Sequence, residues 1–368
     1  LADQRIENLA RILVEYSTRV GPGDDVGILA TTAAEPLAAA IYPLVLRNGG
    51  HPHMLLDIAD QDELFFSHAS DEQIDTVPRL HRLAFDEFDV LIKIRSQTNT
   101  RSLSNIDTVR QARRQMALSP LLKAQLSRGA EGSLRWVSTL FPTQAYAMEA
   151  EMGFEEYQDF VYRACHADLD TTDPVAFWKK VQREQAQTIE RIEGGDQVRL
   201  RGPNVDLTLS IKDRIFKNAC GLNNMPDGEI YTGPVEDSAN GWVRFTYPAV
   251  SQGRVVEGVR LTFQEGEVVD AKADSNQDFL LQMLNTDSGA RFIGEFAIGT
   301  NYQIDHVTRN TLYDEKIGGS FHLALGASYP ETGGLNKSAI HWDLICDVKQ
   351  DSEILVDGQL LYRNGEFL

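Results

Sequence analysis

The sequence predicts an α/β N-terminal domain with a mainly parallel sheet, followed by an α+β, β-rich C-terminal domain. Three observations predict it. Short apolar runs alternate with polar helical stretches through the first half. A long helix with clear start and stop signals follows. Past Gly194-Gly195 the texture changes to alternating apolar and polar residues broken by glycine-containing turns.

The chain opens on a polar, acidic helical pattern over residues 1–10, without the basic flank and apolar stretch of a secretory signal. Residues 26–30 read as a strand and 35–47 as a helix, closed by Asn48-Gly49-Gly50; Pro43 is an obstacle to a straight helix there. Residues 52–56, 89–94 and 134–138 are further strands. None is followed by Gly-x-Gly-x-x-Gly or a Walker-type lysine loop, so no nucleotide site is supported. The long helix covers residues 174–193. Asp173 is a good N-cap and Pro174 suits the first helical position; Trp178, Val181, Ile189 and Ile192 form its apolar face. Residues 205–211, 242–247, 254–263 and 267–273 then read as strands, and Asp357-Gly358 and Asn364-Gly365 as tight turns. These elements place the domains at residues 1–195 and 196–368.

Composition narrows the function. With 35 Lys+Arg against 54 Asp+Glu, the 368-residue chain carries a formal charge of −19, which repels nucleic-acid phosphates. No run of about 18 apolar residues is present, which excludes a membrane-spanning helix. The three cysteines, Cys165, Cys220 and Cys346, are odd in number and far apart. They argue against a disulfide framework or a thiolate zinc site and fit a reducing cytoplasm.

The second half holds the chemistry-bearing clusters. In a strand over 338–346, His341 and Asp343 share one face while Ile340, Trp342, Leu344 and Cys346 share the other. An imidazole and a carboxylate would then be held rigidly side by side; the alternative is an exposed strand face. In the strand around His322, Phe321, Leu323 and Leu325 alternate with His322, Ala324 and Gly326, leaving room for a ligand beside the imidazole, or for a satisfied core histidine. Glu315 lies in a charged turn that either approaches His322 or stays solvated. Glu295 is a lone acid in an apolar run and, if buried, needs a cation, a metal or a proton. Glu229 follows a Pro-Asp-Gly turn, where it is a turn-anchored ligand or an ordinary surface residue. Four carboxylates and two imidazoles without sulfur suit Zn²⁺, Co²⁺, Mn²⁺ or Mg²⁺, and six side chains can hold a pair of ions.

The chain resembles the metal-dependent aminopeptidases typified by the thermophilic aminopeptidase T and aminopeptidase S. The resemblance lies in Asn224-Met225-Pro226-Asp227-Gly228-Glu229-Ile230-Tyr231-Thr232, Ile293-Gly294-Glu295-Phe296-Ala297, Asp314-Glu315-Lys316, His322 to Tyr329 and Asn336 to Asp343. It reaches the first half through Leu140-Phe141-Pro142-Thr143-Gln144 and Ala147-Met148-Glu149. It implies a two-domain exopeptidase that removes N-terminal residues from peptides and carries two divalent metal ions per subunit in its C-terminal domain. It also implies a homodimer with a partly enclosed cleft. Glu229, Glu295, His322, His341 and Asp343 match metal ligands, with Glu295 bridging. Glu315 matches a ligand or a general base, and Tyr329 a metal-binding or oxyanion-stabilising tyrosine. Peptides with a free N-terminus are the expected substrates. The competing readings are a catalytically silent peptide- or metal-binding homologue and a metallo-dipeptidase.

Overall fold

A computed structural model describes residues 3–251 and 253–368. The first two residues of the pattern at the start of the chain lie outside the described residues; Gln4–Arg11 is a helix, capped by the Asp3 carboxylate. Two compact units emerge. The first comprises residues up to Lys179 together with Gly221–Pro226, the second Lys180–Cys220 and Asp227–Leu368. The division falls inside the helix Pro174–Ile192, whereas Gly194-Gly195 marks where that helix ends. The two ends of the helix have different attachments. Trp178 Nε1 donates to the Cys165 carbonyl in the first unit, while Ile192 joins the apolar core of the second.

The first unit is built on a parallel five-stranded sheet. Its strand order is His51–Asp57, Asp25–Thr31, Val90–Arg95, Arg135–Leu140 and Asn224–Met225. The last strand lies far along the chain and has only two residues, too few to show a periodicity. The helix Glu35–Arg47 continues through Pro43. A second long helix, Thr108–Glu131, follows the third strand in sequence.

The second unit contains an eight-stranded and a five-stranded antiparallel sheet. One apolar cluster takes side chains from both. Leu200, Leu207, Val243 and Leu261 come from the larger sheet, and Ile298, Phe321, Leu323 and Leu344 from the smaller. Burying each such side chain contributes ~1.5–3 kcal/mol, which pins the inner face of the smaller sheet. The run 254–263 divides into two strands, Arg254–Val256 and Arg260–Gln264. Between them Gly258 takes a φ of +65°, a left-handed turn that suits a residue without Cβ. Only the second of these strands belongs to the large sheet.

Candidate metal centre

The site occupies the face of the five-stranded sheet opposite its apolar core. The sheet runs in the order His341–Asp347, Ser320–Gly326, Ile293–Gly299, Glu229–Thr232 and Lys217–Ala219. Strand register explains what meets on that face. Ile298 opposes both Ile230 and Phe321, and Phe321 opposes Cys346, so this row belongs to the core. One residue along, Tyr231, Ala297 and His322 form the neighbouring row on the other face. Two residues beyond His322, Ala324 stands between Glu295 and Asp343. His341 opposes Gly326 at the end of the same strand pair.

Glu295 shares this face with Ala297 by alternation, and a bulge just before it sends Ile293 to the core. Ile293 and Glu295 are two residues apart and would share a face in a regular strand. The pairing shifts between them, so Ile293 joins the core while Glu295 keeps the opposite side. The intervening residue is Gly294, where a Cβ would lie 2.4 Å from the Ala327 carbonyl oxygen. No other residue fits that approach without moving the backbone.

Both imidazoles are oriented by the main chain. His322 Nδ1 lies 3.0 Å from the Glu315 carbonyl oxygen and His341 Nδ1 2.8 Å from that of Ala327. A carbonyl only accepts, so each Nδ1 carries the hydrogen and each Nε2 is left to face the site. His322 Nε2 is 3.7 Å from carboxylate oxygens of Glu295 and Glu229 and 4.0 Å from Asp343. His341 Nε2 lies 3.1 Å from Glu295 and 3.5 Å from Asp343. A neutral Nε2 presents a lone pair, which repels carboxylate oxygens unless a cation or proton lies between them.

The electrostatics follow from that crowding. Burial pulls the His322 imidazole down, but the carboxylates of Glu295, Glu229 and Asp343 outweigh it and lift it to about 9. Burial acts the same way on His341, where Asp343 and Glu295 prevail and raise it to about 11. Burial alone would raise Asp343; the two imidazoles and Lys316 instead hold it at about 2. The site therefore demands positive charge among its carboxylates. Glu295, His322 and Asp343 supply donor atoms that all lie within 4.8 Å of one another, a group that can hold a metal ion. The Oδ1 of Asp343 and the Oε2 of Glu229 are buried and have no hydrogen-bond partner. Two imidazole nitrogens and carboxylate oxygens fit a divalent ion such as Zn²⁺, Mn²⁺ or Co²⁺.

A second arrangement borders the first. The turn after the helix Thr311–Asp314 is buried rather than solvated, and it carries Glu315 and the fully buried Lys316. Lys316 Nζ is 3.2 Å from Glu229 Oε1 and 3.8 Å from Asp227 Oδ1, and it also donates to Glu315 Oε1. Burial pushes Glu229 up to about 8 against the pull of this ammonium, and it raises Glu315 as well.

All six nominated ligand residues thus belong to one neighbourhood: Glu229 faces Lys316 with one oxygen and His322 with the other, Glu315 accepts from Lys316, and Glu295, His322, His341 and Asp343 face one another. Tyr329 is 40% exposed, with its ring centroid 5.0 Å from that of His341. Sequence reasoning missed Lys316, Asp227 and Tyr231 as individual contributors. Tyr231 shares the site face and makes an edge contact with Tyr329 at 5.6 Å. Its alternation with the core residue Ile230 was a usable signal; a lysine in a polar turn gave none.

Residues 2–367 match the family model described as thermophilic metalloprotease (M29). Aminopeptidase 2 of Geobacillus stearothermophilus is 25% identical, over 97% of this chain and 94% of that protein. The wild-type AmpT structure from Thermus thermophilus superposes with a TM-score of 0.84 at 21% identity, over 99% of both chains. A 2,5-dihydroxypyridine dioxygenase from Pseudomonas putida superposes less closely, with a TM-score of 0.60 at 13% identity over 99% of this chain and 96% of that one. Those two structural likenesses concern the fold alone, which by itself does not choose a reaction.

Proposed function

The chain belongs to the thermophilic metalloprotease (M29) family, and from that premise we propose that it is an aminopeptidase releasing N-terminal residues from peptides with a metal-activated water. The observation that carries this reading is the pair of imidazoles whose Nδ1 hydrogens are spent on backbone carbonyls while both Nε2 atoms face buried carboxylates. Glu295, His322, His341 and Asp343 are the residues that would hold a divalent ion: zinc, cobalt, manganese or magnesium. In the pair of ions that the family resemblance implies, Glu229, whose unpartnered Oε2 faces His322 Nε2, would contribute to the second, and Glu295 would be shared between the two.

When bound, a divalent ion supplies Lewis acidity, lowering the pKa of water and polarising a carbonyl. The protein groups do the rest. Glu315 has Oε1 taken by Lys316 and keeps Oε2 to accept a proton from the attacking water. The Tyr329 hydroxyl donates to the oxygen that becomes negative as the peptide carbonyl is attacked. The excess of carboxylates selects a substrate whose free amine is protonated. Catalysis belongs to the β-rich part from residue 196 onward. The expected setting is a homodimer in a reducing, cytoplasmic compartment; the three buried cysteines form no disulfide.

The test is to strip the protein with a chelator, reload it with Zn²⁺, Mn²⁺ or Co²⁺, and offer an aminoacyl nitroanilide beside its N-acetylated form. Turnover of the free-amine substrate alone, restored by metal, supports the reading. Metal binding without turnover identifies a silent binding protein, and cleavage confined to dipeptides identifies a dipeptidase.

A further inference from the structure

We infer that Lys316 is a positioning residue of the metal centre: its ammonium holds one oxygen each of Glu229 and Glu315 and thereby fixes where their remaining oxygens point. The inference rests on the metal-holding part of the proposed function and is independent of the peptide substrate.

A lysine with no exposed surface persists only where acids and hydrogen bonds compensate its lost hydration. Three acids do so here. Nζ lies 3.2 Å from Glu229 Oε1 and 3.8 Å from Asp227 Oδ1, and it donates to Glu315 Oε1. Among the described residues, Lys316 is the one hydrogen-bond donor to the carboxylates of Glu229 and Glu315. Glu229 is thereby divided between two tasks. Its Oε1 belongs to the lysine, while Oε2 is buried, has no hydrogen-bond partner and lies 3.7 Å from His322 Nε2. That imidazole spends its Nδ1 hydrogen on the Glu315 carbonyl, so the lone pair of Nε2 and the free oxygen of Glu229 face the same cation. An ammonium has donors and no lone pair, so it can grip the outer oxygens without itself becoming a ligand.

A residue can position others only if it is itself fixed. The Lys316 backbone nitrogen donates to the Tyr313 carbonyl, and its own carbonyl accepts from Asn301 at 3.0 Å. Gly318 then donates back to the Asn301 carbonyl at 2.9 Å. The same asparagine reaches the segment that leads into Glu229: its Nδ2 donates to the Asp227 carbonyl at 2.9 Å. The approach is close, since a Cβ on Gly228 would lie 3.0 Å from Asn301 Cβ. From the helix Pro174–Ile192, Gln185 Nε2 donates to the Glu229 carbonyl at 2.6 Å. The main chains of Lys316 and Glu229 are therefore both anchored, and the side-chain torsions of the acid are what remain to be set. Lys316 sets them. It also offsets the mutual repulsion of Asp227, Glu229 and Glu315, which would otherwise drive the three carboxylates apart.

The experiment reads metal affinity and turnover separately. Full-length wild type, Lys316→Met and Lys316→Ala are titrated with Zn²⁺ and Mn²⁺ against a chromogenic chelator. Each is then assayed on an aminoacyl nitroanilide at saturating metal. Partners that orient metal ligands are worth about 10–100-fold in affinity or activity. Lys316→Met keeps the apolar stem without the charge, and it should lose affinity by that factor and kcat at saturating metal, with KM nearly unchanged. Propylammonium added to Lys316→Ala should restore both quantities, whereas tetramethylammonium, which has no N–H to donate, should not. Wild-type affinity and kcat in Lys316→Met would overturn the inference. So would a loss that propylammonium leaves unrepaired in Lys316→Ala, since the lysine would then be a packing element. Failure of both variants to fold with Zn²⁺ supplied has the same consequence. A wild-type chain that binds metal without cleaving peptides overturns only the proposed function, because the affinity titration needs no turnover. No bound metal overturns both.

Discussion

Glu295 and Asp343 lie two strands apart and oppose the same residue, Ala324, on the strand between them. A single methyl group is all that the central strand places between two buried carboxylates. Substituting Ala324→Val should add bulk where the ion belongs while remaining compatible with a strand, at a stability cost of ~1–3 kcal/mol. The expected outcome is a folded protein by circular dichroism whose metal affinity, measured calorimetrically, falls at least ~10-fold. Unchanged affinity would place the ion away from this row.

Glu295 faces both imidazoles, so Glu295→Gln removes a charge from the middle of the site. Outer-shell partners of metal ligands are worth about 10–100-fold in affinity, and a direct ligand should exceed that range. Metal affinity and peptide turnover should both fall by at least about 100-fold. Full turnover at wild-type metal content would exclude Glu295 from the centre.

For Tyr329, exposure and nearness to His341 favour contact with substrate over a structural role. Tyr329→Phe keeps the ring and deletes the hydroxyl. Loss of one oxyanion donor costs on the order of 100-fold in kcat. That drop should appear in steady-state kinetics with KM and metal content nearly unchanged; a parallel loss of metal would instead make the tyrosine a ligand.

Acid stability has a source in the first unit. His166 stacks on Phe177 with ring centroids 3.6 Å apart, and burial pushes its imidazole down to about 4, with Asp168 pulling the other way. The unfolded chain takes up a proton near the usual value of about 6.5, whereas the folded one does not. Unfolded protein therefore binds more protons between these values, and stability rises with pH across the window. The contribution is complete above about 6.5 and is lost as pH falls toward 4. Urea midpoints at pH 4.5 and 7 should differ less in His166→Asn, a replacement that tolerates the positive φ of 50° found there. An identical difference in both proteins would assign the acid sensitivity to other groups.

Much of the architecture was legible. The parallel sheet could be read from apolar runs separated by helical stretches, and the strand faces around His322 and His341 from simple alternation. Alternation failed across Gly294, where an inserted bulge residue puts Ile293 in the core while Glu295 keeps the site face with Ala297. It failed also for the run 254–263, where the turn at Gly258 divides one expected strand into two pieces.

Local chemistry was enough to determine which residue types were available and which face of each strand they occupied, because backbone geometry alternates side chains without reference to the rest of the chain. Only tertiary structure decided which strands lie side by side, that Ala324 separates two acids, and that Lys316 enters the protein interior among Asp227, Glu229 and Glu315. Those outcomes depend on pairing between segments far apart along the chain and on charges that become neighbours only after burial, and no local pattern encodes either.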